Sequence, residues 1–446
     1  MKIGFVSLGC PKNLLDTEVM LSELNKAGYE ITAEETEADV IILNTCGFIK
    51  EAKQEAIDNI LDIAWLKENA KLKGLIVTGC LVQRYGEEIL KEFPEVDAIL
   101  SVGAIHDIVD AVKRVENKER FSILKAPEEA ALGGERIVTT PEHYAYLKIA
   151  EGCDNRCTYC AIPDIRGSFR SRPMDELIAE AKDMEAIGVR ELILVAQDTT
   201  RYGFDLYGEY KLDELIERIT AETNIPWIRI LYCYPDKITE GLCKQFAEND
   251  RLVKYIDIPI QHISDEVLKR MNRHGGRAVI EDAVKRLRAA CPEIIIRTTV
   301  IVGFPGETGE QFEELINYLA EAKFERLGAF TYSKEEGTPA EKLDGHLPEQ
   351  KKKRRYDAVM KQQNKIGEAI NKKRIGKREI ALIEGYDPVS DTYFCRTEKE
   401  APEIDGKLYL VGAPKNAFVP GDMVVVVITE AMDCDLICEI AQVVRQ

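Results

Sequence analysis

Short apolar runs alternate with longer amphipathic stretches over the first three quarters of the chain. Residues 3–8, 40–43, 75–78 and 98–102 are short and largely aliphatic, as strands covered on both faces of a parallel sheet should be. Between them lie helical patterns such as 16–27, which turns Leu21 and Leu24 inward and stops at Gly28. This predicts a doubly wound α/β domain over 1–132. After a polar connector (126–141) a second series begins, with strands at 144–149, 191–196, 227–231, 255–258, 294–301 and 327–331. Amphipathic stretches at 174–187, 212–220, 265–271 and 311–322 separate them. Six strand-plus-helix units over 141–335 predict a partial β/α barrel and place function at the C-terminal strand ends. Residues 348–374 favour one helix with ten Lys/Arg against three carboxylates, a net of +7. That is either a solvated connector or a local RNA contact. From 375 to 446 the runs shorten to strands at 379–384, 393–397, 407–411 and 423–429, with a Val419-Pro420-Gly421-Asp422 turn, predicting a small β-barrel.

Composition narrows the classes. The 446 residues allow about three domains, and 45% hydrophobic with 31% charged residues describes a globular chain, excluding a mini-protein or long disorder. Lys plus Arg is 60 against 78 Asp plus Glu, a net charge of −18, so contact with nucleic acid has to be local. There is no secretory leader pattern, and the longest aliphatic run, 423–428, is far below the roughly 20 residues of a membrane span. The expectation is a cytoplasmic protein with no membrane partner. In a reducing compartment its 12 cysteines read as metal ligands, redox groups or small buried hydrophobes.

Two constellations stand out. Cys153, Cys157 and Cys160 form C-x3-C-x2-C just past the first barrel strand. Three thiolates on one short loop can hold three irons of a four-iron cluster and leave the fourth open. Zinc would want a fourth Cys or His at structural spacing; His143, ten residues upstream, reads as solvent-facing instead. Cys10, Cys46 and Cys80 each follow the end of a predicted strand in the first domain, so a parallel sheet brings them to one edge. Gly9, Gly47 and Gly79 beside them permit close approach to a bulky cofactor. The competing reading is three unrelated buried cysteines. Cys434 and Cys438 read as buried strand residues, and Cys233, Cys243, Cys291 and Cys395 carry no assigned chemistry.

The C-x3-C-x2-C loop, with Tyr159 before its last cysteine and a six-unit β/α series behind it, resembles the radical S-adenosylmethionine superfamily. There the open iron binds S-adenosylmethionine, and the reduced cluster cleaves it to a 5′-deoxyadenosyl radical. Two three-thiolate sites and a terminal barrel together resemble the methylthiotransferases over essentially the full chain: a cluster-bearing first domain, a radical S-adenosylmethionine partial barrel and an OB-like TRAM barrel. Arg166-Gly167-Ser168-Phe169-Arg170, Pro259-Ile260-Gln261-His262 and Gly303-Phe304-Pro305-Gly306-Glu307 add weaker likeness. The opening Ser7-Leu8-Gly9-Cys10-Pro11-Lys12-Asn13 resembles the RimO-type branch, which modifies a small-subunit ribosomal protein; the tRNA adenosine branch, MiaB-like, usually has Gln where Pro11 stands.

The resemblance implies two [4Fe-4S] clusters, one on Cys10, Cys46 and Cys80 and one on Cys153, Cys157 and Cys160, with S-adenosylmethionine as cofactor. It implies insertion of sulfur and a methyl group at the β-carbon of an aspartate in ribosomal protein twelve, a C–H bond that no side-chain base deprotonates productively at neutral pH. By the same likeness Tyr159 packs near the adenine, where core packing is the alternative, and Gly303 and Pro305 border the nucleoside. Gln197 and Asp198 stand at a strand end as cofactor-binding candidates, with a helix cap as the alternative for Asp198. His262 and His274 read as structural. The terminal barrel has seven Lys/Arg against thirteen Asp/Glu, a surface suited to a basic ribosomal protein. An external electron donor completes the set. A zinc-bearing RNA-binding protein would want a basic barrel, and a simple electron carrier four cysteines per cluster; the tRNA branch differs in substrate alone.

Overall fold

The computed structural model of the chain describes residues 1–130 and 132–443. Strands β1 (Lys2–Ser7), β2 (Glu30–Thr32), β3 (Val40–Thr45), β4 (Gly74–Gly79), β5 (Ala98–Leu100) and β6 (Phe121–Ile123) form one parallel sheet in the order β2-β1-β3-β4-β5-β6. Strand order reverses between β1 and β3, the switch point beyond which ligands collect in such sheets. Central β3 and β4 are buried at every position, which is why they read as unbroken aliphatic runs. The hydrophobic pattern does not predict β2 and β6, three-residue strands at the two edges. Helix Pro11–Lys26 starts five residues before the predicted 16–27, with Cys10 as N-cap and Pro11 in its first turn. Its buried Lys12, Asn13 and Asp16 hide that turn from hydrophobic periodicity.

The second sheet contains β7 (Tyr144–Lys148), then, after the separate antiparallel ribbon of β8 (Ala150–Glu151) and β9 (Arg170–Ser171), strands β10 (Glu191–Val195), β11 (Trp227–Ile230), β12 (Leu252–Asp257), β13 (Ile295–Val302) and β14 (Arg326–Thr331). Its order is β14-β13-β12-β11-β10-β7, six parallel strands in chain order that do not close. Alternation sends Ala145, Leu147, Leu192 and Ile228 to the helices outside. Tyr144, Tyr146, Ile193, Trp227 and Tyr255 take the concave side, where Leu15 of the first domain and Leu382 and Ala401 of the last complete the packing. The partial barrel is therefore closed by its two neighbours.

Helix Glu349–Lys372 covers the open end near β14. It is not the solvated connector that its charge suggests. Lys352, Arg355 and the following Arg374 are buried: Lys352 Nζ donates to Tyr332 O at 2.8 Å, Arg355 pairs with Glu307 at 2.9 Å, and Arg374 pairs with Glu379 at 2.7 Å and Glu400 at 2.5 Å. Seven other cations of this stretch stay exposed.

Strands β15 (Arg378–Asp387), β16 (Thr392–Thr397), β17 (Leu408–Leu410), β18 (Met423–Met432) and β19 (Asp435–Val443) make a closed barrel around Ile383, Tyr393, Leu408 and Val426. Cys438 is in that core, but Cys434 lies in the β18–β19 turn and is exposed, because the alternation that suggested burial breaks there. His143 also departs from expectation: it is buried, with Nε2 3.5 Å from Glu384 Oε1. It joins an ionic seam in which Arg229 Nε donates to Glu191 at 2.6 Å and Arg396 bridges Glu191 and Glu384. Glu379, Glu384, Glu400 and Asp405 are spent on such pairs; nine carboxylates of the last barrel have no ion-pair partner among the described residues, against Lys377, Arg378, Lys407 and Lys415. Arg445 lies outside the described residues. Among these no helix is long and apolar enough to cross a membrane.

Candidate active site

Cys10, Cys46 and Cys80 stand beyond the C-terminal ends of β1, β3 and β4, three neighbouring strands. Two glycines show how tightly the loops meet. Gly9, at φ 95°, lies so close that a Cβ would stand 2.8 Å from Cys46 Cβ; on Gly79, also at φ 95°, it would meet Asn44 Oδ1 at 2.3 Å. Asn13 Nδ2 donates to Leu8 O at 2.7 Å and Asn44 Nδ2 to Asn13 O at 2.8 Å, tying the first loop to the second strand. Burial pushes the Cys80 thiol up to about 11 against the pull of Arg166, and raises Cys46 as well. Bare, these groups hold their protons at neutral pH; a bound cation would displace them.

Cys153, Cys157 and Cys160 lie between β8 and helix Ile162–Arg166. Cys153 N donates to Gly167 O at 3.1 Å, and Thr158 N and Oγ1 donate to Met271 O and Arg270 O at 3.0 and 2.8 Å. Asn155 Nδ2 donates to Asp198 Oδ2 at 2.8 Å, while Ile162 N approaches Cys160 Sγ at 3.4 Å and Tyr234 OH stands 3.5 Å from Cys157 Sγ. Burial raises the Cys153 thiol to about 11 and Cys160 further. Among the described residues no three His, Cys, Asp or Glu side chains gather about one point as a single metal ion demands. A four-iron cluster takes one thiolate per iron. Three cysteines per site, walled by glycine at the first, fit the cluster.

A buried ion network joins the two triads. Arg166 Nη2 approaches Cys80 Sγ at 3.3 Å and donates to Asn13 Oδ1 at 3.0 Å, while Nη1 donates to Asp16 Oδ2 at 2.6 Å and lies 3.3 Å from Glu151 Oε2. Lys148 Nζ completes it, donating to Asp16 at 2.8 Å and Glu151 at 2.9 Å. Glu151 stands two residues before Cys153. Burial alone would raise its pKa, but Lys148 and Arg166 bring it down to about 2. Sequence reading misses this network because its partners lie up to 153 residues apart; charged residues beside both cysteine motifs are the available signal.

The remaining candidates have definite places. Gln197 donates to Glu151, and Asp198, fully buried, accepts from Asn155 and, at 2.6 Å, from Thr200 Oγ1. Both brace the second loop. Asp198 precedes a 3-10 turn without capping it through its side chain. Tyr159 is half-buried against the cluster of Met271, Phe304 and Tyr332. Pro305 is buried, and Gly303 (φ 76°) faces the connector helix, where a Cβ would meet Lys352 Cγ at 2.3 Å. His262 is buried, its Nδ1 accepting from Ser264 N at 3.0 Å, a structural role.

Comparison with known proteins agrees with this architecture. Residues 2–101 match the Uncharacterized protein family UPF0004, 147–319 the Radical SAM superfamily and 375–441 the TRAM domain. Among solved structures, the radical S-adenosylmethionine methyltransferase TsrM from Kitasatospora setae, with cobalamin and a [4Fe-4S] cluster bound, shares the fold at TM-score 0.57 and 14% identity over 76% of each chain. Curated relatives are far nearer. The ribosomal protein uS12 methylthiotransferases RimO of Desulforamulus reducens and Clostridium botulinum are 48% and 50% identical, covering 99% and 98% of this chain and 99% and 97% of theirs. That of Geobacter sulfurreducens is 47% identical over 98% of both chains. Identity of this extent, spanning all three folded units, makes the chain a member of the RimO family of radical S-adenosylmethionine methylthiotransferases.

Proposed function

We propose that the chain inserts sulfur and a methyl group at the β-carbon of an aspartate in small-subunit ribosomal protein uS12. The observation that carries this reading is the pair of thiol triads, joined through one buried ion network, in a chain 48% identical to a RimO enzyme over nearly its whole length. We assign one [4Fe-4S] cluster to Cys10, Cys46 and Cys80, and one to Cys153, Cys157 and Cys160. With S-adenosylmethionine bound, these groups supply hydrogen-atom abstraction, sulfur and methyl transfer, chemistry that no side chain of this protein can supply.

The protein's part is placement and exclusion of water. Asn155, Asp198 and Gln197 hold the loop of the second triad, Arg166 and Asn13 brace the first, and Tyr159, Gly303 and Pro305 border the space for the nucleoside. Division of labour follows the units: 1–132 holds the first cluster, 141–335 the second, 348–374 covers the barrel end, and 375–446 docks the substrate. Nine carboxylates of the last barrel without an ion-pair partner among the described residues suit a basic ribosomal protein. The seven exposed cations of the connector supply a local contact for ribosomal RNA. An external donor provides electrons, and the reaction takes place in the cytoplasm. The test is anaerobic reconstitution with iron and sulfide counts, then reductant, S-adenosylmethionine and either recombinant uS12 or unmodified tRNA. A methylthio mass gain on an aspartate of uS12 is the expected result; a modified tRNA nucleoside with unchanged uS12 refutes the substrate.

A further inference from the structure

The segment Tyr232-Cys233-Tyr234, just beyond β11, spans the gap between the triads. Tyr234 OH meets Cys157 Sγ at 3.5 Å, while the ring of Tyr232 carries the ammonium of Lys12 3.5 Å from its centroid. Lys12 stands two residues after Cys10. Tyr232 adopts φ 63°, a left-handed conformation that costs a bulky residue energy and persists only where neighbours enforce it. Thr199 N donates to its carbonyl at 3.0 Å, and its own N–H donates to Asp257 Oδ2 at 3.2 Å. The strained backbone thus fixes an aromatic platform under a lysine that is only 7% exposed.

The surrounding cations are committed elsewhere. Arg166 and Lys148 share Asp16 and Glu151, Lys237 pairs with Asp236 and Asp198, and Arg297 pairs with Asp257 at 2.8 Å. Arg273 lies 4.1 Å over the Tyr234 ring and donates to Pro259 O. Among the described residues no carboxylate pairs with Lys12. An ammonium seated on a ring face, with no carboxylate on its N–H groups, has donors to offer an anion. We propose that Lys12 binds the side-chain carboxylate of the substrate aspartate, fixing its β-carbon between the two centres and making the enzyme selective for an acidic side chain. The inference rests on the reading that the target is an aspartate.

The test uses the full reconstituted chain and a uS12 peptide containing the target aspartate, or the same peptide with asparagine there, with affinities read by fluorescence anisotropy. Wild type should prefer the aspartate peptide by roughly thirtyfold or more. Lys12→Met should bind both peptides alike, at the asparagine level, with iron content and S-adenosylmethionine cleavage unchanged; Lys12→Arg should restore part of the preference. Undiminished preference in Lys12→Met overturns the proposal. So does a Lys12→Met enzyme that loses the irons of the first triad, which would make Lys12 a support for the cluster. The wild-type peptides decide independently of any variant: equal affinity for both, in an enzyme that still methylthiolates uS12, refutes the inference alone. Unmodified uS12 refutes the function beneath it.

Discussion

Replacing Arg166 with methionine separates the worth of the buried network from that of the cofactors. Arg166 is 2% exposed and balances Asp16 and Glu151 together with Lys148, two cations for two carboxylates. Its loss leaves a buried excess negative charge, and breaking a buried pair in this way costs about 3–5 kcal/mol. Glu151 gives a second route to the magnitude. Its pKa falls from 4.5 to about 2 on folding, and at 1.36 kcal/mol per unit that shift is worth about 3 kcal/mol, shared between Lys148 and Arg166. A depressed carboxylate pKa contributes stability that is complete above pH 4.5 and lost as pH falls toward 2. The gap between wild type and Arg166→Met should therefore be full at pH 7 and shrink in that window. Urea unfolding of the metal-free chain, followed by fluorescence of Trp227 in the barrel, reads it: with m about 3 kcal/mol/M the midpoint drops by roughly 1 M. In the Arg166→Met/Asp16→Asn double variant, which removes one charge of each sign, about 2 kcal/mol should return. A loss below about 1 kcal/mol at pH 7, or strict additivity in the double variant, refutes the reasoning.

Four further outcomes are expected. Replacing Cys10, Cys46 or Cys80 with Ala should leave S-adenosylmethionine cleavage intact and abolish sulfur insertion, whereas Cys157→Ala should abolish both; product analysis by mass spectrometry separates them. Reconstituted enzyme should hold about eight irons per chain, falling to about four in either set of variants. Gly9→Ala puts a Cβ 2.8 Å from that of Cys46 at a φ of 95°, so it should lose the irons of the first triad while the second remains visible by electron paramagnetic resonance. Glu400, buried and drawn down to about 2 by Arg374 and Arg326 against its burial, should release the last barrel as pH falls from 4.5 toward 2, seen as earlier acid exposure of Trp227; Glu400→Gln should weaken that docking at pH 7.

The central strands could be read along the chain because they are buried on both faces: Val40–Thr45 and Gly74–Gly79 have no exposed face to interrupt the aliphatic run. Edge strands such as Glu30–Thr32 are half wet and carry no such signature. The triads were legible for a related reason, since a parallel sheet turns equivalent positions after three strands into neighbours. What joins them was not. Asp16 and Arg166, or Glu191 and Arg396, are brought together only by packing between units, and each alone reads as an ordinary surface charge. His143 reads as solvent-facing for the same cause: its partner Glu384 lies far along the chain.

The concave face of the barrel bears on how this protein is made. Tyr144, Trp227 and Tyr255 are synthesised well before Leu382 and Ala401, the residues that cover them. Until the last segment has left the ribosome, an aromatic surface stays wet, and Glu191 has Arg229 but not yet Arg396. Folding of the middle unit therefore finishes only once residues 382–401 have emerged to cover that face. Before that closure, a stalled or shortened chain would aggregate through its exposed aromatic face.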